Sequence, residues 1–186
     1  WGDLVHDPLC EAGGAHCTPR RALLSLGEHG IHDDAGHARA QCRRRSQRDA
    51  VVRVAHARAL GPYAESATRA WEQLCRWAGP RGLLAPDAQG QPPLFIGISY
   101  DDPSITEPAK LRYDACVTVG DATRAERDIG IQVLTAGRYA VVPYQGPGSG
   151  LQGAYDALFG SILPKAGYQP AHAPCYEVYH REPDAT

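Results

Sequence analysis

The sequence predicts an α+β fold built from two βαββ units. Their strands form one antiparallel sheet, with two helices on one face and a central ligand groove. Three observations predict it. Strand-like stretches and amphipathic stretches follow one another in the same order twice. A Gly-Pro pair stops the first strand of each half, at Gly61-Pro62 and Gly146-Pro147. Matching residues keep an offset of 80 to 85 positions throughout: Ala70-Trp71 with Ala154-Tyr155, Leu74 with Leu158, Gly82 with Gly167, Gly97-Ile98 with Glu177-Val178, and Pro103 with Pro183. Two such units pair edge to edge and bury their apolar faces under two helices. Duplicates of this kind leave a cleft where the halves meet, and clefts bind ligands.

In chain order, residues 49–60 alternate Val and Ala with polar positions and read as a strand. Residues 63–79 carry Ala67, Ala70, Trp71, Leu74 and Cys75 at steps of three and four and read as a helix, which Pro80 and Gly82 end. Residues 94–100 and 110–119 read as strands, the latter with Leu111, Tyr113, Ala115, Val117 and Val119 on one face. Residues 129–134 and 138–144 read as strand interrupted at Ala136-Gly137, 149–163 as a helix, and 175–180 as a strand after a Gly/Pro-marked break. The second half holds no counterpart to 110–119. Either the chain is cut short there, or the second half is completed by something else, a partner included.

Residues 1–48 read as an N-terminal extension or linker, and 49–186 as the ligand-binding domain. The extension holds five of the eight histidines and little helical periodicity. A short helix over 20–28 and a basic one over 35–48 are the readings available. His32, His37 and Cys42, with Cys10 or Cys17, match no standard zinc spacing, so no metal and no cofactor is expected. The arginines at 39, 43, 44, 45 and 48 read as a solvated face or linker. The chain starts at Trp1 and has no methionine, and it reads as a fragment or as a chain with a cut start.

A net charge of −2 argues against a nucleic-acid footprint over the whole chain. No apolar run approaches the ~20 residues of a membrane span, so no membrane partner is expected. Six dispersed cysteines without a CxxC pair read as reduced thiols of a cytoplasmic protein.

Glu177 is the residue that stands out. It sits in Pro174-Cys175-Tyr176-Glu177-Val178-Tyr179-His180, among strand formers. A carboxylate stranded away from water costs several kcal/mol unless it is paired or protonated. We expect it to look into a cavity, with Tyr63, Trp71, Tyr100, Tyr144, Tyr155 and Tyr179 as candidate walls. Such a pocket suits a lipophilic cation, each aromatic face adding roughly 0.5–2 kcal/mol. The competing reading makes each ring ordinary core, and Glu177 a sheet-edge residue. Arg138 and Arg112 are the cations expected to keep Glu177 charged against the effect of burial.

Four motifs in order carry a resemblance: His56-Ala57-Arg58-Ala59-Leu60-Gly61-Pro62-Tyr63; Ile98-Ser99-Tyr100-Asp101-Asp102-Pro103 with Leu111 to Val119; Ala136-Gly137-Arg138-Tyr139-Ala140-Val141-Val142 with Tyr144-Gln145-Gly146; and Tyr176-Glu177-Val178-Tyr179 before Pro183. Over about residues 49–183 the chain resembles the GyrI-like small-molecule-binding domain. That family occurs as the effector domain of AraC-type and BmrR-like regulators and as stand-alone proteins. The resemblance implies a duplicated βαββ fold with a central cavity. It implies an acidic residue at the position of Glu177, facing bulky and often cationic aromatic compounds. It therefore implies a multidrug-type ligand-sensing domain of a transcription regulator rather than an enzyme. DNA would be contacted only through a region not evident in this chain, since residues 1–48 lack the spacing of a helix-turn-helix. A homodimer is left open. The alternatives are a GyrI-like hydrolase of strained-ring natural products, with Glu177 as general base, and a stand-alone module that inhibits an enzyme by binding it.

Overall fold

The computed structural model describes residues 20–26, 52–134, 139–144 and 151–179. Within them lie strands β1 (Arg20–Leu26), β2 (Val52–Leu60), β3 (Phe95–Ser99), β4 (Arg112–Thr118), β5 (Ile129–Leu134), β6 (Tyr139–Tyr144) and β7 (Pro170–Tyr179). The helices are α1 (Tyr63–Ala78), α2 (Leu151–Ala157) and α3 (Leu163–Lys165), the last two joined by a π-helical turn over Leu158–Ile162. The seven strands make one sheet in the order β5-β2-β4-β3-β7-β1-β6. Every neighbouring pair is antiparallel.

Helix α1 forms where the periodicity places it. Tyr63, Ser66, Ala67, Ala70, Trp71, Leu74 and Ala78 are its buried stripe. Gly61 sits at φ +124°, a backbone conformation that strains any residue with a Cβ, and so the turn into α1 requires glycine there. The buried stripe packs on Ala55, Ala57, Phe95, Tyr113, Ala115, Val117, Cys175 and Tyr179. Tyr155, Leu158 and Leu163 of the second helical segment join the same core, so both helices cover one face of the sheet. The other face carries a second apolar cluster of Val54, Ile96, Ile98, Cys116 and Leu134.

The duplication is visible in the pairing registers. Strands β3 and β7 meet at the centre, and Gly97 pairs with Glu177, the position that matches it in the other half. An antiparallel pair whose repeat mates face each other straddles a pseudo-twofold axis, so that axis passes between Gly97 and Glu177. Outward from it, Gly97 pairs with Ala115, which pairs with Ala57. On the other side Glu177 pairs with Ala22, which pairs with Val142. Strand β1 therefore takes the place that β4 holds in the first half, in the same register.

This corrects two expectations. Residues 20–26 form a strand, not a short helix. The missing strand of the second half is supplied from upstream in this chain, not by a partner. Arg-Arg-Ala-Leu-Leu-Ser-Leu has fair helix propensity, but propensity is a weak prior. A slot with unpaired backbone on both sides offers these residues a full set of hydrogen bonds, which overrides it. The sheet thus extends beyond the 49–186 unit that the sequence outlines.

Candidate functional site

Alternation along β7 puts Cys175, Glu177 and Tyr179 on the helix-covered face. Glu177 is only 2 % exposed. The Tyr179 hydroxyl donates to its Oε2 at 2.9 Å, and the Tyr155 hydroxyl, coming down from α2, donates to its Oε1 at 3.2 Å. The Trp71 ring meets Tyr179 edge-on at 5.4 Å between centroids. The Trp71 Nε1 donates to the Tyr113 hydroxyl at 3.2 Å. Side chains from α1, α2, β4 and β7 thus gather around one buried carboxylate.

Gly97 explains the asymmetry at the axis. Where the second half carries Glu177, the first has no side chain. A Cβ built at Gly97 would lie 2.2 Å from the Tyr113 Oη, so the tyrosine fills the space that glycine leaves. Tyr113 is the ring beside this position that the sequence reading missed. Its place on the same strand face as Ala115 was legible, but its neighbour across the strand was not.

The hydroxyls around Glu177 are held as donors. Burial first, and the Glu177 charge second, push Tyr113 and Tyr155 above the usual tyrosine range. The same two causes push the Cys175 thiol up to about 12, which favours the protonated thiol.

Of the seven side chains expected at the site, the structure brings Glu177, Trp71, Tyr155 and Tyr179 together. Tyr63 stands one layer behind. It meets Tyr113 edge-on at 6.2 Å, donates to the Asp101 carbonyl at 2.7 Å and accepts from the Asp101 N–H at 2.9 Å. Tyr144 is half-buried at the end of β6, on the helix-covered face, and is separated from β7 by β1. Tyr100 is on the opposite face. Arg112 also points away from Glu177 and pairs with Asp101 at 2.6 Å. Arg138, and the histidines and cysteines weighed for a metal, lie outside the described residues.

The opposite face holds its own polar network. Asp114, with a side chain 0 % exposed, takes both Arg58 Nε at 2.6 Å and Arg58 NH2 at 2.8 Å. The Tyr100 hydroxyl donates to Asp114 Oδ2 at 2.8 Å and Gln132 Nε2 donates to it at 3.2 Å. The guanidinium groups of Arg58 and Arg112 lie 4.8 and 5.3 Å from the Tyr100 ring centre. Tyr100 is thereby committed to this network.

Beside it, His56 lies over Gly130, and its buried Nδ1 has no hydrogen-bond partner. Burial is the largest influence on His56 and lowers its pKa; Asp114 opposes this and Arg58 adds to it. A depressed folded-state pKa means that the unfolded chain binds the proton first as pH falls. Stability is therefore full above the ordinary histidine value of 6.5 and declines below it. Urea unfolding at pH 7.5 and 5.5 should give a larger loss for the wild type than for His56→Leu. Equal losses would remove His56 from the account.

A family model for the GyrI-like small molecule binding domain matches residues 50–186. The chain belongs to the GyrI-like family. Among curated relatives, the DNA gyrase inhibitor of Escherichia coli strain K12 is 30 % identical over 123 residues, covering 64 % of this chain and 74 % of the relative. The DNA gyrase inhibitor of Edwardsiella ictaluri is 31 % identical over 126 residues, covering 66 % and 76 %. Among solved structures, the EcmrR C-terminal domain is similar at 15 % identity and a TM-score of 0.44, over 69 % of this chain and 89 % of that one. The GyrI-like match covers every described strand except β1, both helical segments and Glu177 itself. Among the described residues, no helix is long and apolar enough to cross a membrane.

Proposed function

We propose that this GyrI-like domain is the ligand-sensing unit of a transcription regulator, and that it takes up hydrophobic, cationic aromatic molecules at Glu177. The observation that carries this reading is the buried carboxylate beside the pseudo-twofold axis, set among the rings of Trp71, Tyr113, Tyr155 and Tyr179. A charge in that setting selects ligands by sign. The ring faces add cation–π attraction and tolerate many shapes. Neither Tyr155 nor Tyr179 needs to ionise for this, and each can turn its hydroxyl from the carboxylate when a cation takes its place. Tyr155 is carried by a helix interrupted by a π turn, an irregularity common at functional sites. It is the wall side chain best placed to swing aside for entry. A multidrug role, as in AraC-type or BmrR-like regulators, follows from the same reading.

Titration calorimetry with tetraphenylphosphonium tests it. Glu177→Gln keeps the shape and removes the charge. It should weaken binding about tenfold or more, in line with the ~1.5–3 kcal/mol of an interaction with a charged group. Binding of a neutral triphenyl compound should change little. Equal affinity of wild type and variant for the cation would refute a role for the carboxylate in selection.

The names of the curated relatives favour a second reading, in which the domain binds and inhibits a topoisomerase. A DNA supercoiling assay with purified gyrase separates the two readings, since a small-molecule sensor leaves supercoiling unchanged. A hydrolase would use Glu177 as base on a water, and product analysis with strained-ring electrophiles detects it.

A further inference from the structure

Strand β6 is attached to the sheet through β1 alone, because it lies at the end of the order β5-β2-β4-β3-β7-β1-β6. At the other end β5 is likewise held through β2 alone, but in the first half the bridging strand is tied in by a short connection. There β4 bridges β3 and β2, and residues 100–111 tie it to β3. That connection is itself braced: Arg112 N and Nε donate to Asp101 Oδ2 at 2.8 and 2.9 Å, and Tyr63 holds the Asp101 backbone. Strand β1 occupies the equivalent place by backbone pairing on both sides: Arg20 with Tyr179 and Tyr144, Ala22 with Glu177 and Val142, Leu24 with Cys175 and Ala140. Its pairing with β7 then slips, from Leu24 opposite Cys175 to Leu26 opposite Pro170, so the far end of the slot is irregular.

The chain path adds a second contrast. Residues 27–51 separate β1 from β2, and β2 lies across β4, β3 and β7 from it. A longer connection makes docking entropically more costly than closing a short loop does. Strand β1 is therefore a sheet member that the chain holds as it would hold a bound peptide.

We propose that the slot between β7 and β6 is a strand-acceptor site, and that its ligand is this chain's own residues 20–26, which dock and undock as a unit. Undocking frees β6 from the sheet and leaves the β7 backbone at Glu177 without its partner at position 22. The Glu177 site is complete only while the slot is filled. The inference concerns the same site as the ligand reading, but the measurement below contains no small molecule, so either can fail without the other.

Hydrogen exchange of the full chain, read by peptide, compares β1 and β6 with β4. Amides of β1 and β6 should exchange together, about tenfold or more faster than those of β4. In a Leu24→Cys variant, mild oxidation should join position 24 to Cys175 within one chain, and the locked form should bring β1 and β6 down to the rate of β4. Should Leu24→Cys fail to fold, Ala22→Cys with Val142→Cys makes the same test at the other wall. The proposal is overturned if β1 exchanges as slowly as β4 without the lock. It is also overturned if the disulfide joins two chains, if neither the 24–175 pair nor the 22–142 pair closes, or if locking β1 leaves β6 unchanged.

Discussion

Arg58→Ala will destabilise the protein more than Asp114→Ala, although the two residues share one ion pair. The reason is the unequal burial of the partners: the Arg58 side chain is 44 % exposed and the Asp114 side chain 0 %. Removing the arginine leaves a carboxylate in the sheet without its counter-ion. The Tyr100 and Gln132 donors remain, but neither carries a compensating charge. Breaking a buried pair from that side costs about 3–5 kcal/mol. Removing the aspartate instead leaves a guanidinium that already reaches water and can swing out to it. What remains is the loss of partners for Tyr100 and Gln132, about 1–3 kcal/mol. Urea unfolding of the two variants checks the order. Equal effects would mean that Asp114 gains water once Arg58 is gone. The double variant should fall near Asp114→Ala rather than near the sum, because the two side chains act as one unit. The network also bears on the Glu177 cluster at a distance. Strand β4 carries Asp114 on one face and Tyr113 on the other, so loosening the first disturbs the wall of the second.

Helix α1 and the alternating strands were legible because each buries one face, and burial writes a period into the chain. The repeat was legible for the same reason, since two copies of one unit share their turns and core positions. That was enough to single out Glu177 as a carboxylate at an apolar strand's core-facing position. Tyr100 shows the limit of reading ring residues by type. It is three residues from Gly97, the mate of Glu177, and an odd separation along a strand means the opposite face. The alternation held that information, and the presence of a ring near the strand end outweighed it. Tyr113 was hidden for another reason: its part in the site depends on which residue lies across the strand, and register is a property of pairing rather than of either strand alone. Residues 170–174 read as a break because of Pro170 and Pro174, yet they belong to β7. The slipped pairing with β1 there is the irregularity that prolines tolerate. Strand β1 was hidden most deeply, since nothing in its seven residues says that a slot of matching register lies beyond residue 139.

Gly97→Ala should cost about 1–3 kcal/mol of stability, the usual range for overfilling a packed core. The new methyl would stand 2.2 Å from the Tyr113 Oη and 3.1 Å from its Cζ. The ring has little room to retreat. Tyr113 is 0 % exposed, edge-on to Tyr63, and its hydroxyl accepts the Trp71 N–H. Most of the cost belongs to one oxygen atom, so the test is a double-mutant cycle with Tyr113→Phe. Removing the hydroxyl relieves the closest contact and leaves one that a shift of a few tenths of an ångström accommodates. Gly97→Ala should then be clearly less costly in the Tyr113→Phe background than in the wild type. Additive effects would mean that the backbone, not the tyrosine, limits position 97. The same cycle, read by tetraphenylphosphonium affinity, reports on the site. A methyl group at Gly97 sits opposite Glu177 across the pseudo-twofold axis, where the first half leaves space. If that space lets Tyr113 form the wall, the single variant loses affinity along with stability, and Tyr113→Phe recovers part of both.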